Sequence, residues 1–169
     1  MIKFLAGVVL GLVLACFAVY LFVGLGGINM ATASKPFLFE RGLAHRALVV
    51  SIGKAANDTS PVAADEATFA AGAKIYQENC AGCHGTYGKE PSPFSKQVYP
   101  HIPPLLPPSK GVTDDPVGRT HWVVKSGIRF SAMPSFGEQL SETELWQVSE
   151  MLQHADKLPP AIQEQLRAK

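Results

Sequence analysis

The chain has 169 residues, of which 47% are hydrophobic, and its 15 basic and 14 acidic residues give a formal net charge of +1. This near balance excludes the basic surface that nucleic-acid binding requires, so no nucleic-acid partner is expected. The apolar residues are concentrated near the N-terminus, whereas the chain from residue 65 onward has the composition of one small soluble domain.

Residues 1–30 hold the predicted transmembrane anchor. Residues 4–28 carry no charge and are almost wholly apolar, and a helix of that length rises about 37 Å, enough to cross a hydrocarbon core of about 30 Å. A cleavable signal sequence remains the alternative because residues 31–33 (Ala-Thr-Ala) resemble a cleavage site, although signal cores are normally about 7–15 residues long. Lipoprotein cleavage before Cys16 is disfavoured because the apolar run continues well past that cysteine.

Residues 31–64 are predicted to form an amphipathic juxtamembrane segment followed by a linker. In residues 36–52 the apolar side chains fall roughly on one helical face, so the segment lies either on the membrane surface or against a partner subunit. Residues 53–64 are small and polar, and at about 3.3 Å per extended residue they would reach roughly 40 Å. Such a linker would let a tethered domain move between partners.

The charges around the anchor bear on which side of the membrane the C-terminal part occupies. Lys3 precedes the apolar run, whereas Lys35, Arg41 and Arg46 follow it. The positive-inside tendency would therefore place the C-terminal part in the cytoplasm.

Residues 65–158 form the predicted soluble domain, and residues 159–169 a C-terminal tail. Asp65 is a predicted N-cap, and Ser141 with Glu144 forms a capping box that opens a helix ending before Leu158.

Between these two helices, a third is expected from residues 115–116 to Ser126, with Trp122 and Val123 directed inward. Seven prolines in residues 91–108 exclude a regular helix or a central strand there, so an ordered loop is predicted.

The chemistry is concentrated in residues 80–84, Cys-Ala-Gly-Cys-His. Cys80 and Cys83 have the spacing that bonds two vinyl groups of one porphyrin, and His84 is then held beneath the iron, so the motif predicts c-type haem attachment. A structural zinc site needs four protein ligands, but Cys16 lies in the anchor and the other histidines lack the paired spacing of a zinc motif. A thioredoxin-like pair would require a βαβ pattern, which the sequence does not show.

Residues 72–85 resemble the N-terminal helix and haem site of the class I cytochrome c family, and the resemblance covers residues 65–158. It implies an all-α domain around one covalent haem c, attached through Cys80 and Cys83 and bound axially by His84. In that family the two terminal helices cross, so Gly72 would permit their close approach and Trp146 is expected at their contact.

A methionine from the C-terminal half supplies the sixth iron ligand in that family. Residues 127–134 end in Met133 and a following proline, which matches the usual setting, so the resemblance implies Met133 as the ligand. His101, in the proline-rich loop, and an open site remain the alternatives, while Met151 fits a core methionine. Two interpretations are open for four further residues, which either contact the haem propionates or are ordinary packing and surface residues: Tyr76, Tyr99, Trp122 and Arg129.

The resemblance implies a single-electron carrier rather than an enzyme, tethered to the bacterial inner membrane by a single-pass helix with its haem domain in the periplasm. This orientation overrides the charge count because no route to such a covalent haem is known in a bacterial cytoplasm. The expected redox partners are a quinol–cytochrome oxidoreductase, a terminal oxidase or a periplasmic dehydrogenase. Two alternatives stay open: an integral haem-bearing subunit of a larger membrane oxidoreductase, and a gas-binding or peroxidase-like haem that lacks a stable Met133 bond.

Overall fold

The computed structural model describes residues 1–89 and 91–167. Within them every regular element is a helix and none is a strand, which confirms the predicted all-α class. The chain divides into two compact units, Met1–Gly42 and Leu43–Lys169. In chain order the α-helices are α1 Ile2–Gly24, α2 Glu40–Ile52, α3 Glu66–Asn79, α4 Ala81–His84, α5 Val117–Ser126, α6 Glu142–Gln153 and α7 Pro160–Arg167, and the 3₁₀ helices are Gly53–Asn57 and Pro93–Lys96.

Helix α1 is the main element of the first unit. Its 23 residues rise about 35 Å, none of its side chains is buried, and Lys3 is its one charged residue. The helix is therefore long and apolar enough to cross a membrane, as predicted, although a signal sequence has the same character.

Helix α2 begins in the first unit and continues into the second. The predicted helix is present, but its side chains are exposed or half-buried up to Ser51, and burial begins with Ile52, which is 4% exposed. The chain then passes directly into the 3₁₀ helix Gly53–Asn57.

The start of the predicted linker packs against the soluble domain instead of extending away from it. The 3₁₀ helix Gly53–Asn57 contacts α5, and a Cβ added at Gly118 would lie only 2.9 Å from the Asp58 nitrogen and 2.7 Å from its oxygen. Because Gly118 has no side chain, the two backbones can approach this closely. Residues 53–58 thus differ from the extended linker that their composition predicts.

Helices α3 and α6 begin at their predicted caps. The Asp65 carboxylate accepts a hydrogen bond of 2.9 Å from the Thr68 N–H. Ser141 and Glu144 form the reciprocal capping box at the start of α6.

The crossing of α3 and α6 is the main helix contact of the second unit. Gly72 lies at this crossing, where an added Cβ would come within 2.7 Å of the Met151 Cβ and would collide with the Gln147 carbonyl oxygen. The predicted close approach at Gly72 is therefore confirmed.

Helix α5 faces inward with different residues from those predicted. Its buried residues include His121 and Val124, whereas Trp122 and Val123 are half-buried. Positions 121 and 124 are three residues apart and share one face of the helix, and that face packs against α6. Trp146 is buried, but it stacks on His121 of α5, with ring centroids 3.8 Å apart and planes 6° apart.

The residues after Leu158 form a helix where the sequence predicts a tail. Helix α7 contacts α3 and buries Ile162 and Leu166. The Gln165 side-chain amide also donates to the Ala70 carbonyl at 3.2 Å. Two apolar residues four apart give this short segment a buried face, so the packed domain extends to Arg167.

Candidate haem-binding site

Cys80, Cys83 and His84 lie on one helical turn directly after α3. The N–H groups of Cys83 and His84 both donate to the Cys80 carbonyl, at 3.1 and 2.9 Å. Residues three and four apart on a helix share a face, so the turn directs the two thiols and the imidazole to the same side. Gly85 ends the turn with a φ of 84°, a left-handed conformation that favours glycine.

The His84 ring is oriented by a backbone carbonyl from the proline-rich loop. Its Nδ1 lies 2.7 Å from the Pro103 oxygen, and because a carbonyl can only accept, Nδ1 carries the proton. Nε2 then presents its lone pair, which is the form of imidazole that binds a metal. Burial lowers the pKa of His84, which also favours the neutral ring.

The two cysteines are free of disulfide bonds. Cys80 lies among core residues and is 9% exposed, and Cys83 is half-buried. Burial, with a smaller contribution from Cys83, raises the pKa of the Cys80 thiol to about 12. Because neither sulfur is held in a disulfide bond, both could form thioether bonds.

Met133 lies in a tight loop that follows α5. The Ile128 N–H donates to the Met133 carbonyl at 3.1 Å, and the Ser131 hydroxyl donates to Ile128 at 2.7 Å while accepting from the Met133 N–H at 3.1 Å. Met133 is half-buried and packs against the hydrophobic cluster that contains Cys80. The loop thus holds Met133 against the same core that contains the first cysteine of the motif.

The proline-rich loop, residues 91–108, is anchored as well as irregular. Leu106 is buried in the core cluster, and the Ile102 N–H donates to the Ser95 carbonyl at 3.0 Å. Pro103 lies between these anchors, which fixes the carbonyl that orients His84. Its role could not be read from the sequence because it depends on a backbone oxygen rather than a side chain.

The alternative ligands occupy other environments. The His101 ring is exposed, and its Nδ1 lies 2.9 Å from the Val98 carbonyl of its own loop. The ring of His154 lies 5.3 Å from that of Phe69. Among residues 1–89 and 91–167 no group of three or more His, Cys, Asp or Glu side chains is placed to hold a metal ion.

The four residues considered for propionate contacts divide into buried and peripheral positions. Tyr76 is fully buried, and its hydroxyl donates to the Gly85 carbonyl at 2.7 Å, so it braces the haem-binding turn instead. Trp122 and Tyr99 are half-buried and Arg129 is exposed.

The donor set fits haem c. It supplies two thiols at the attachment spacing, an imidazole with the correct tautomer, and a thioether in a fixed loop. The spacing of Cys80, Cys83 and His84 is that of the c-type haem attachment motif.

Comparison with protein families agrees with this fit. The family model described as cytochrome c oxidase, cbb3-type, subunit III matches residues 67–151, about half of the chain, and this range includes the haem motif and Met133. Searches of curated proteins and of solved structures returned no match.

Proposed function

This chain belongs to the family described as cytochrome c oxidase, cbb3-type, subunit III, a class I cytochrome c family, and on that premise we propose that it carries single electrons through one His/Met-ligated haem c. The family implies a covalently bound haem c and an electron-transfer protein. The observation that carries the residue assignment is the 2.7 Å contact between His84 Nδ1 and the Pro103 oxygen. It leaves Nε2 as the nitrogen that would hold the iron, on a turn that also carries both cysteines.

Each site residue has a separate task in this proposal. Cys80 and Cys83 would hold the haem covalently through thioether bonds, and His84 would bind its iron. Haem c, when bound, supplies a one-electron couple between ferric and ferrous iron. Pro103 keeps the imidazole in the metal-binding tautomer.

Met133 is proposed as the second protein ligand that would hold the iron. A soft thioether favours ferrous iron and raises the reduction potential relative to a second histidine. If His84 and Met133 both held the iron, no coordination position would be left for a substrate, which would suit electron transfer rather than conversion of a small molecule.

The ligand assignment is tested by the absorption spectrum of the oxidised protein. We expect the weak far-red band of a ferric iron–methionine bond, and we expect Met133→Ala to abolish it. Met30→Ala is the matched control, because Met30 is exposed and lies outside the haem domain. A band that persists in Met133→Ala would assign the bond to another methionine. A band that is missing from the unmodified protein would exclude Met133: rapid carbon monoxide binding would then indicate an open, gas-binding site, and its absence would favour His101.

The membrane location is also proposed: α1 crosses the bacterial inner membrane once and the haem domain lies in the periplasm. The length and composition of α1 support a membrane tether, and the covalent haem supports the periplasmic location of the haem domain. Protease added to spheroplasts should degrade the haem domain. Full protection in intact spheroplasts would indicate the cytoplasmic orientation that the flanking charges favour.

A second candidate is an integral subunit of a larger membrane oxidase. The family description names an oxidase subunit, and the packing of Gly53–Asn57 on α5 shortens the segment available as a mobile linker. Co-purification with oxidase subunits in mild detergent would support this candidate. A monomer that exchanges electrons with a quinol–cytochrome oxidoreductase, a terminal oxidase or a periplasmic dehydrogenase would support the tethered carrier.

A further inference from the structure

Three consecutive large apolar residues, Phe37, Leu38 and Phe39, are exposed just before α2. They are 48%, 68% and 77% exposed, respectively. We name them the 37–39 triplet. A contiguous apolar surface of this kind marks a site of contact with a partner or a membrane.

The triplet lies beside the end of α1. The Phe37 ring centroid is 6.2 Å from that of Phe22, and Phe22 is two residues before the last residue of α1, Gly24. The turn that follows α1 packs on the same ring, since a Cβ added at Gly27 would overlap the Phe22 side chain. The loop after α1 therefore returns to the end of that helix.

The backbone around the triplet holds it outward. Phe39 has a φ of 69°, a left-handed conformation that bulky residues rarely adopt. The Phe37 N–H donates to the Glu40 carboxylate at 2.8 Å, which closes the turn into α2. This turn leaves Leu38 and Phe39 exposed. A left-handed backbone at a bulky residue such as Phe39 costs free energy, and it persists where surrounding interactions offset that cost.

We propose that the 37–39 triplet is a second membrane contact, inserted into the bilayer interface at the end of α1. The inference rests on the proposed tether. A helix of 23 residues spans a core of about 30 Å with little to spare, so Phe22 and the Phe37 ring beside it lie near the boundary of that core. Aromatic and apolar side chains are favoured at that depth, and the exposed Lys35 is placed to meet lipid headgroups.

The lipid interface is favoured over a protein subunit as the occupant because the triplet continues the apolar surface of α1. One consequence concerns the tether itself. The chain leaves the bilayer at Glu40 rather than at Gly24, so the loop between them does not add to its reach.

Spin labels on the full-length holoprotein in vesicles test the proposal. In a Cys16→Ser background, single cysteines replace Leu38, or Phe39 as a second position, and carry a nitroxide. The vesicles contain phosphatidylethanolamine and phosphatidylglycerol and no other protein. The ratio of relaxation by oxygen to relaxation by a water-soluble nickel chelate reports depth. A label at Val13 is the lipid reference, and a label at the exposed Glu164 is the water reference.

We expect an oxygen-to-nickel ratio at residues 38 and 39 several-fold above that at Glu164 and below that at Val13. Ratios at both positions equal to that at Glu164, with Val13 in lipid, would overturn the proposal while leaving the tether intact, and would indicate a protein partner for the triplet. A water-exposed Val13 would overturn the tether, and the proposal with it.

Discussion

Helix α6 meets α3 on one side and α5 on another, and the two contacts are built from different chemistry. Toward α3 it presents Met151, fully buried against Gly72. Toward α5 it presents Trp146, stacked on His121, and the Glu142 carboxylate lies 3.0 Å from the His121 Nε2. One contact is apolar and depends on close approach, whereas the other contains groups that titrate.

The difference indicates that the two helix contacts have different roles. Helix α3 leads directly into the turn that carries Cys80, Cys83 and His84, so its contact with α6 supports the haem-binding residues. The contact between Gly72 and Met151 is apolar, and its stability should depend less on pH than that of the α5 contact. The α5 contact is expected to be weaker and pH-sensitive. Four substitutions test this comparison.

Met151→Ala should have the largest effect. Met151 is 0% exposed, and shortening a fully buried methionine leaves a cavity that typically costs about 2–5 kcal/mol. Guanidinium unfolding of the holoprotein in detergent, followed by tryptophan fluorescence, measures the change. Thr143→Ala on the exposed side of α6 should change the free energy of unfolding by less than about 0.5 kcal/mol. Similar losses in the two variants would show that the α3 contact is not the main one.

Gly72→Ala, which adds a single methyl group, should have the next largest effect on stability. Alanine improves helix propensity by about 1 kcal/mol, but the new Cβ would meet the Gln147 backbone oxygen, which cannot move aside without shifting α6. Overpacking of this kind costs about 1–3 kcal/mol, so we expect a net loss of up to about 2 kcal/mol. Glu78→Ala, on the exposed side of α3, is the control. A stabilised Gly72→Ala variant would mean that the helices are farther apart than the structure shows.

The sequence predicted the α3 side of this comparison better than the α5 side. Local signals identified the caps at Asp65 and Ser141, and the requirement for a small residue at a close helix crossing identified Gly72. The haem motif was recognisable because its chemistry depends on the spacing of adjacent residues. The ligand role of Met133 remains a prediction, and the structure adds the loop that holds it.

The missed features depend on contacts between distant segments. The stack of His121 on Trp146, the Pro103 carbonyl against His84, and the packing of residues 53–58 on α5 join residues that no local pattern relates. Helix α7 was missed because only two buried residues define its face. Polar or proline-rich composition correctly predicted irregular segments, but it did not show which of them pack.

The pH dependence of stability should originate on the α5 side. Burial lowers the pKa of His121 below its ordinary 6.5; the Glu142 and Asp58 charges oppose this, and the Lys125 charge reinforces it. The unfolded state then binds more protons than the folded state as the pH falls below about 6.5, so stability is constant above that pH and declines below it. Unfolding measured from about pH 8 to about pH 5 keeps Glu142 ionised, and a His121 variant then separates His121 from the other histidines.

His121→Gln removes this titration and should flatten the decline, although its overall stability falls because the stack on Trp146 is lost. The other histidines are present in both proteins and cancel in the comparison. Met151→Ala should retain the decline of stability with falling pH that the unmodified protein shows. An unchanged slope in His121→Gln would place the titrating group elsewhere.

Lys125→Met should have the smallest effect. Lys125 Nζ lies 2.7 Å from Glu142 Oε2, but the two side chains are 47% and 55% exposed, and exposed pairs contribute about 0–1 kcal/mol. We therefore expect a loss below about 1 kcal/mol that diminishes at high salt, as it should for a screened pair. Because the Lys125 charge lowers the pKa of His121, its removal should also make the decline below pH 6.5 shallower. Lys110→Met, which removes an exposed 2.7 Å ion pair with Asp114 that does not involve α6, controls for loss of a surface charge. A loss equal to that of Gly72→Ala would show that the ion pair, rather than the His121–Trp146 stack, holds α5 against α6.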